Sequence, residues 1–99
     1  MARMYIHCFA FRWKPGVDDE QMERAAREIQ NLQGQIPGLL ETYVGRNISP
    51  RGGDYTFGGV MKFADKASLD NYGNHPVHQK LLEWLVPLID PIELDFEAK

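Results

Sequence analysis

Residues 4–13 restrict the fold more than any other segment of the chain. Their sequence, MYIHCFAFRW, is rich in aromatic and β-favouring residues and predicts a strand. Successive side chains of a strand point to opposite faces of the sheet. One face would carry Tyr5, Phe9 and Phe11, and the other Met4, Ile6, Cys8 and Ala10. Because both sets are apolar, this strand requires apolar cover on both faces.

The rest of the chain predicts two helical regions and three more strands. Asp18 and Gln21 resemble a capping box, so a helix is expected to begin near 18–19 and to stop by Gly34. Its apolar stripe consists of Met22, Ala25, Ala26, Ile29 and Leu32. The further strands are predicted at 39–46, 55–63 and 89–96.

The second helical region is predicted in two pieces. Asp65 can cap a helix that runs to about Tyr72 and stops at Gly73, and Pro76 suits the first turn of a helix that runs to about Val86. The order β-α-β-β-α-β predicts an α+β chain of ferredoxin-like fold, with a four-stranded antiparallel sheet and helices on one face.

The uncovered face of that sheet predicts a homodimer. The chain's own helices can cover one face, and a second copy of the same sheet can cover the other. The alternative is a monomer with a partly wet face, which the last strand would allow because Glu93 and Asp95 alternate there with apolar residues. Those apolar residues are Ile92, Leu94 and Phe96.

Length and charge exclude several classes of protein. The 99 residues suit one domain, 1–99. The net charge is −3 and no run of like charge exceeds residues 18–20, so we expect neither nucleic acid nor a membrane surface as partner. No apolar run approaches the ~20 residues that span a bilayer. Residues 1–14 are interpreted as a strand region and not a signal peptide, and the single cysteine, Cys8, favours a reducing, cytoplasmic location.

The segment NYGNHPVHQK, residues 71–80, carries the candidate chemistry. His75 and His78 are spaced to share one side of a helix, but a metal site needs three or four ligands and His7 is the only other histidine. We therefore expect no metal, and we interpret His75 as a capping residue. Acid–base catalysis is the other option, with His78 as base and Tyr72 as hydrogen-bond donor. The competing interpretation makes His78 a half-buried residue at the margin of an apolar helix stripe.

Several segments are similar to one known family. They are HCFAFRWKPGV, IPGLLETYVGRNISP, YTFGGVMKFADKASLDNYGNHPVHQKL and LDFEA, and the most specific element is the Tyr-x-x-His-Pro-x-His cluster from Tyr72 to His78. The chain resembles the stress-responsive α/β-barrel domain (Dabb) family, and within it the members of olivetolic acid cyclase type. That resemblance implies a dimeric α/β barrel, in which two ferredoxin-like units pack sheet to sheet.

The resemblance also implies roles for individual residues. Tyr72 and His78 match the acid–base pair of the cyclase type, and His7 matches a pocket histidine. A further pocket histidine of that type falls at Phe57, a departure that leaves the substrate open. The residues expected to contact a ligand are Phe57, Phe9, Tyr5, Met61 and Trp84. Aromatic residues at these spacings are equally typical of an ordinary core.

These inferences predict a small, soluble homodimer without a cofactor. It would bind a small aromatic or carbonyl-bearing molecule between sheet and helices and catalyse a cyclase, lyase or isomerase type of reaction. Two alternatives remain: a non-catalytic stress-associated dimer, and a cofactor-independent monooxygenase.

Overall fold

A four-stranded antiparallel sheet organises the chain, in a computed structural model that describes residues 3–99. Met1 and Ala2 lie outside the described residues. The first two residues of the predicted domain 1–99 and of the predicted strand region 1–14 therefore also lie outside them. The strands are β1 (Met4–Trp13), β2 (Leu39–Arg46), β3 (Phe57–Phe63) and β4 (Ile89–Ala98). Their order across the sheet is β2-β3-β1-β4. This order and the element sequence confirm the predicted ferredoxin-like fold.

Two strand boundaries differ from the prediction. β3 begins at Phe57 and not at residue 55, because the backbone N–H of Tyr55 donates within the preceding loop, to the carbonyl of Gly52. β4 continues past residue 96 to Ala98, because β1 pairs with it along its whole length and Met4 lies opposite Ala98. The bounds of β1 and β2 are as predicted.

Three α-helices lie on one side of the sheet, α1 (Asp19–Gln30), α2 (Lys66–Tyr72) and α3 (Pro76–Leu85). The capping box at the start of α1 is present: the Asp18 side chain accepts from the Gln21 backbone, and the Gln21 side chain accepts from the Asp18 backbone. α1 ends at Gln30, and Gly34 lies in the turns that follow, with φ +93°. Short 3-10 helices occupy Pro50–Gly52 and Val86–Leu88.

The core lies between the sheet and these helices. Phe9, Phe11, Met61 and Phe63 from the two central strands meet Ala25, Ile29, Leu81 and Leu85 from the helices, and all are buried. Within residues 3–99, no helix has both the length and the apolar character needed to cross a membrane.

The opposite face of the sheet carries large apolar side chains that the chain leaves exposed. They are Tyr43, Val60, Ile92, Leu94 and Phe96, of which Leu94 is 61% exposed. We call these five residues the open apolar face. Glu93 and Asp95 lie instead on the helix side of the sheet, since Asp95 pairs with His7 and Glu93 with Phe9. The acidic side of β4 is therefore turned away from the open apolar face.

Candidate functional site

A cavity of about 380 Å³ opens between the β1–β4 half of the sheet and the broken second helix. Apolar side chains form most of its wall. Its lining residues are His7, Phe9, Phe11, Ile29, Leu69, Tyr72, Gly73, His78, Leu81, Leu82, Leu85, Val86, Ile89, Pro91, Glu93 and Asp95.

The break between α2 and α3 places two polar aromatic side chains in this wall. Tyr72 is the last residue of α2, and His78 lies in the first turn of α3. His75 caps α3 through its Nδ1, which accepts from the Val77 backbone N–H at 3.2 Å. The chain reverses between the two helices, so the Tyr72 and His78 rings stack with centroids 4.0 Å apart and planes at 29°.

His78 is arranged as a neutral base. Its Nδ1 lies 3.2 Å from the carbonyl oxygen of Gly73, and because a carbonyl only accepts, Nδ1 carries the hydrogen. Nε2 of the neutral ring is then unprotonated. Burial lowers the pKa of His78 below the ordinary 6.5, and the nearby His7 lowers it further, so the ring is neutral at pH 7. His78 is 9% exposed, more buried than the half-buried helix position considered from the sequence.

Tyr72 is arranged as a hydrogen-bond donor. Its side chain is 8% exposed. The hydroxyls of Tyr5 and Tyr43 donate to glutamates, whereas none of the hydrogen bonds among residues 3–99 uses the hydroxyl of Tyr72. Burial raises the pKa of Tyr72 well above 10, and the carboxylates of Glu93 and Asp95 add to this rise. The hydroxyl therefore keeps its proton and has no protein acceptor for it.

His7 reaches the same cavity from β1. Its side chain is 6% exposed, and its ring centroid lies 5.5 Å from that of Tyr72. His7 Nδ1 is 2.5 Å from Asp95 Oδ1, so Nδ1–H donates to the carboxylate. Nε2 lies 3.9 Å from Glu93 Oε1. The structure thus brings together the three residues expected to act in catalysis, His7, Tyr72 and His78, from three separate elements.

Of the five residues expected to contact a ligand, only Phe9 lines this cavity. Tyr5 lies towards the end of β1 and donates to Glu97 Oε1 at 2.8 Å. Phe57 and Met61 are buried in β3, where Phe57 packs against Phe11 with ring centroids 5.7 Å apart.

Trp84 lies on the outer side of the helix layer. Its indole N–H donates to Glu28 Oε1 at 3.2 Å, and the guanidinium of Arg24 lies 4.0 Å from the ring centroid. Tyr5, Phe57, Met61 and Trp84 are therefore not among the residues that line this cavity.

Sequence reasoning missed the two carboxylates of the site, Glu93 and Asp95. Their alternation with apolar residues entered the sequence analysis only through the alternative of a monomer with a partly wet sheet face. The register of β4 against β1 could have placed them, since it sets Asp95 opposite His7. That register is fixed by long-range pairing, which local patterns do not reveal.

The donor set of the cavity suits proton transfer better than metal binding. Among residues 3–99, no three His, Cys, Asp or Glu side chains are grouped so as to hold a metal ion. A neutral imidazole and a protonated phenol in one apolar wall can respectively accept a proton and donate a hydrogen bond.

Comparisons with known proteins agree with this architecture. A dimeric ferredoxin-like protein of unknown function from Thermobifida fusca is 25% identical, with a TM-score of 0.84 over 100% of this chain and 93% of the other. A Dabb family protein with a ferredoxin-like fold from Mesorhizobium loti is 29% identical, with a TM-score of 0.80 and 95% of each chain covered. A hydroxynitrile lyase from Passiflora edulis is 18% identical, with a TM-score of 0.90 over 100% of this chain and 96% of that one; it shows the fold alone.

The sequence itself decides the family. No curated protein matches the chain in sequence. The family model described as the stress responsive A/B barrel domain, Dabb, matches residues 6–98. The resemblance noted from the sequence is thereby confirmed, and the chain belongs to the stress responsive A/B barrel domain (Dabb) family.

Proposed function

We propose that the chain binds a small carbonyl-bearing molecule in this cavity and transfers a proton to or from it. The observation that carries the proposal is the Tyr72–His78 stack, with a neutral imidazole and an unpartnered phenol hydroxyl in one apolar wall. Among residues 3–99 the Tyr72 hydroxyl has no protein acceptor, and its oxygen is not among the fully buried unpaired atoms, so it is accessible from the cavity and a ligand carbonyl could accept from it.

The proposed step is proton abstraction next to the carbonyl. His78 Nε2 takes the proton from the α-carbon, and the electron pair moves through the carbon–carbon bond onto the carbonyl oxygen. The Tyr72 hydroxyl donates a hydrogen bond to that oxygen as its negative charge develops. Return of the proton from His78 to the same carbon completes exchange, and return to another carbon completes an isomerisation. In a lyase or cyclase type of reaction the electron pair instead expels a leaving group or attacks a second carbonyl carbon, and His78 gives the proton to the leaving group or to the new alkoxide.

The size and lining of the cavity favour a small aromatic ligand. Its volume of about 380 Å³ lies near the lower end of the range of roughly 300–1,000 Å³ typical of ligand pockets. Phe9, Leu81 and Leu85 supply flat and branched apolar surface around the two polar rings. A single ring with a short carbonyl substituent would fit this space.

We further propose that the chain acts as a homodimer through the open apolar face. Large exposed apolar patches on a protein mark interaction surfaces, and five large side chains of one sheet face are involved here. The similar protein from Thermobifida fusca is described as dimeric. A second copy of the sheet would give these residues apolar cover, while the cavity stays on the opposite, helix side.

Solvent isotope exchange tests the catalytic proposal without a known substrate. A panel of aryl ketones and aldehydes with α-protons is incubated in D₂O, and loss of the α-proton signal is followed by NMR. We expect wild-type protein to accelerate exchange for at least one compound, and His78→Ala and Tyr72→Phe to remove most of that acceleration. His75→Ala is the matched control, because His75 caps α3 and does not line the cavity.

An aromatic hydroxynitrile extends the panel. Here the base would take the hydroxyl proton, the bond to the nitrile carbon would break, and cyanide would leave with a proton while the carbonyl forms. If the His78 and Tyr72 variants match the wild type on every compound of the panel, the catalytic proposal is wrong.

A further inference from the structure

The charged groups that face the cavity are all acidic. Glu93 and Asp95 project from β4 on the helix side of the sheet, and none of the lysines or arginines among residues 3–99 lines the cavity. His7 is the nearest basic group, with its ring nitrogens 3.9 Å from Glu93 and 2.5 Å from Asp95.

The other acidic residues of β4 have arginine partners. Asp90 Oδ2 lies 3.3 Å from Arg12, and Glu97 Oε1 lies 3.0 Å from Arg3. Within residues 3–99, Glu93 and Asp95 pair only with a histidine. The cationic partners thus stand at the two ends of β4, and the segment beside the cavity keeps its negative charge.

The two carboxylates differ in their availability to a ligand. Asp95 accepts the short hydrogen bond from His7 Nδ1 and holds that ring in place. Glu93 makes no hydrogen bond with any of residues 3–99, and its side chain is 62% exposed. Apart from His7 Nε2 at 3.9 Å, its carboxylate has no charged partner within residues 3–99 and is accessible at the cavity mouth.

A second feature shows that the cavity is arranged to take a ligand. Tyr72 is more than nine-tenths buried, lines the cavity, and has no hydrogen-bond partner within residues 3–99. Its hydroxyl needs an acceptor such as a carbonyl oxygen. The ligand must then present an acceptor to Tyr72 while tolerating two carboxylates at the edge of the same cavity.

We propose that the cavity selects cationic over neutral and neutral over anionic ligands, and that Glu93 is the residue that sets this order. The natural ligand is then a carbonyl compound that also carries a basic nitrogen, and carboxylates and phosphate esters are excluded. This inference rests on the proposed function for the location of the site, and it adds the charge class of the ligand.

Three probes that share one acetophenone carbonyl, and so the same acceptor for Tyr72, test the charge order: 4-(aminomethyl)acetophenone, which is a cation at neutral pH, 4-(hydroxymethyl)acetophenone, which is neutral, and 4-acetylbenzoate, which is an anion. Binding is followed by NMR on the ring C–H signals of the three histidines. We expect the signals of His7 and His78 to shift, and those of His75 to stay in place. The cationic probe should bind at least about tenfold more tightly than the anionic probe at low salt, with the neutral probe between them.

Two variants assign the effect to Glu93. Glu93→Gln should reduce the preference for the cationic over the anionic probe severalfold. Glu83→Gln makes the same change in net charge at an exposed position of α3 outside the cavity lining, and should leave the ratio unchanged.

The possible outcomes separate this inference from the proposed function. If the anionic probe binds as tightly as the cationic probe, or if both variants change the ratio equally, the charge inference is overturned while the role of Tyr72 and His78 stands. If none of the probes shifts His7 or His78, the inference is overturned together with the ligand site on which the proposed function depends.

Discussion

Replacing Tyr72 with phenylalanine removes only the hydroxyl oxygen that has no protein partner in the cavity wall. Burying a polar group without a hydrogen bond costs roughly 1–3 kcal/mol in mutational data. Because the hydroxyl borders a cavity that can admit water, part of that cost is relieved in the native protein. We therefore expect Tyr72→Phe to be as stable as the wild type or more stable by up to about 1 kcal/mol. The ring keeps its stack on His78, so no packing is lost.

Tyr72→Phe should lower the reaction rate although it does not lower the stability. Loss of a single hydrogen-bond donor to a developing oxyanion typically lowers the rate by about 10²–10³. If the Tyr72 hydroxyl adds nothing to the free energy of unfolding but is necessary for the reaction rate, its role is catalytic and not structural.

Urea denaturation followed by tryptophan fluorescence measures the stability, and the isotope-exchange assay measures the rate. Thr42→Val is the control, because Thr42 Oγ1 is fully buried without a hydrogen-bond partner, whereas the Tyr72 hydroxyl is accessible from the cavity, and Thr42 does not line the cavity. It should change stability in the same direction and leave exchange untouched. A loss of more than about 1 kcal/mol in Tyr72→Phe would show that the hydroxyl has a structural partner, and would refute this reasoning.

Three further predictions concern pH, packing and assembly. The pKa of His78 is lower in the folded chain than its ordinary 6.5, so the unfolded chain binds the proton first as the pH falls. The free energy of unfolding, measured by urea denaturation at several pH values, should therefore decrease below pH 6.5, and it should decrease less in His78→Gln. In Gly59→Ala the new Cβ would lie 2.5 Å from the Phe9 ring, so a loss of about 1–3 kcal/mol is expected by the same method, whereas Gly45→Ala, with nothing within 4 Å, should lose much less. Leu94→Lys should convert the dimer to a monomer of 11.4 kDa in sedimentation, and a wild type that is already monomeric at micromolar concentration would contradict the proposed dimer.

Local patterns were sufficient for most of the fold. The two-faced apolar strand, the capping box at Asp18 and the turn residues Gly73 and Pro76 each act through neighbours in sequence, and the structure has the elements where they predict them. Where a boundary depended on a distant strand the prediction was less accurate, as at the end of β4, which extends because Met4 pairs with Ala98.

The candidate site was predictable in part for the same reason. Tyr72 and His78 flank a helix break that is visible in the sequence, so their approach could be expected. The carboxylates of Glu93 and Asp95 reach the cavity only through the β1–β4 register, which no local pattern contains. Phe57 was expected at the ligand because the resemblance implies a pocket position there, and Met61 as core or pocket lining. Both lie in β3, whereas the cavity is lined from β1, β4 and the helices.

The central claim is that His78 is a neutral base beside a ligand-binding cavity, and nitrogen-15 NMR of its imidazole ring tests this most directly. The account predicts that at pH 7 His78 carries its proton on Nδ1, that Nε2 is unprotonated, and that the ring titrates below pH 6.5. It also predicts that an aryl ketone added to the same sample shifts the Nε2 resonance, while that of His75 stays unchanged. A proton on Nε2 at pH 7, an imidazolium at that pH, or a ring that does not respond to any carbonyl compound of the panel would contradict the account.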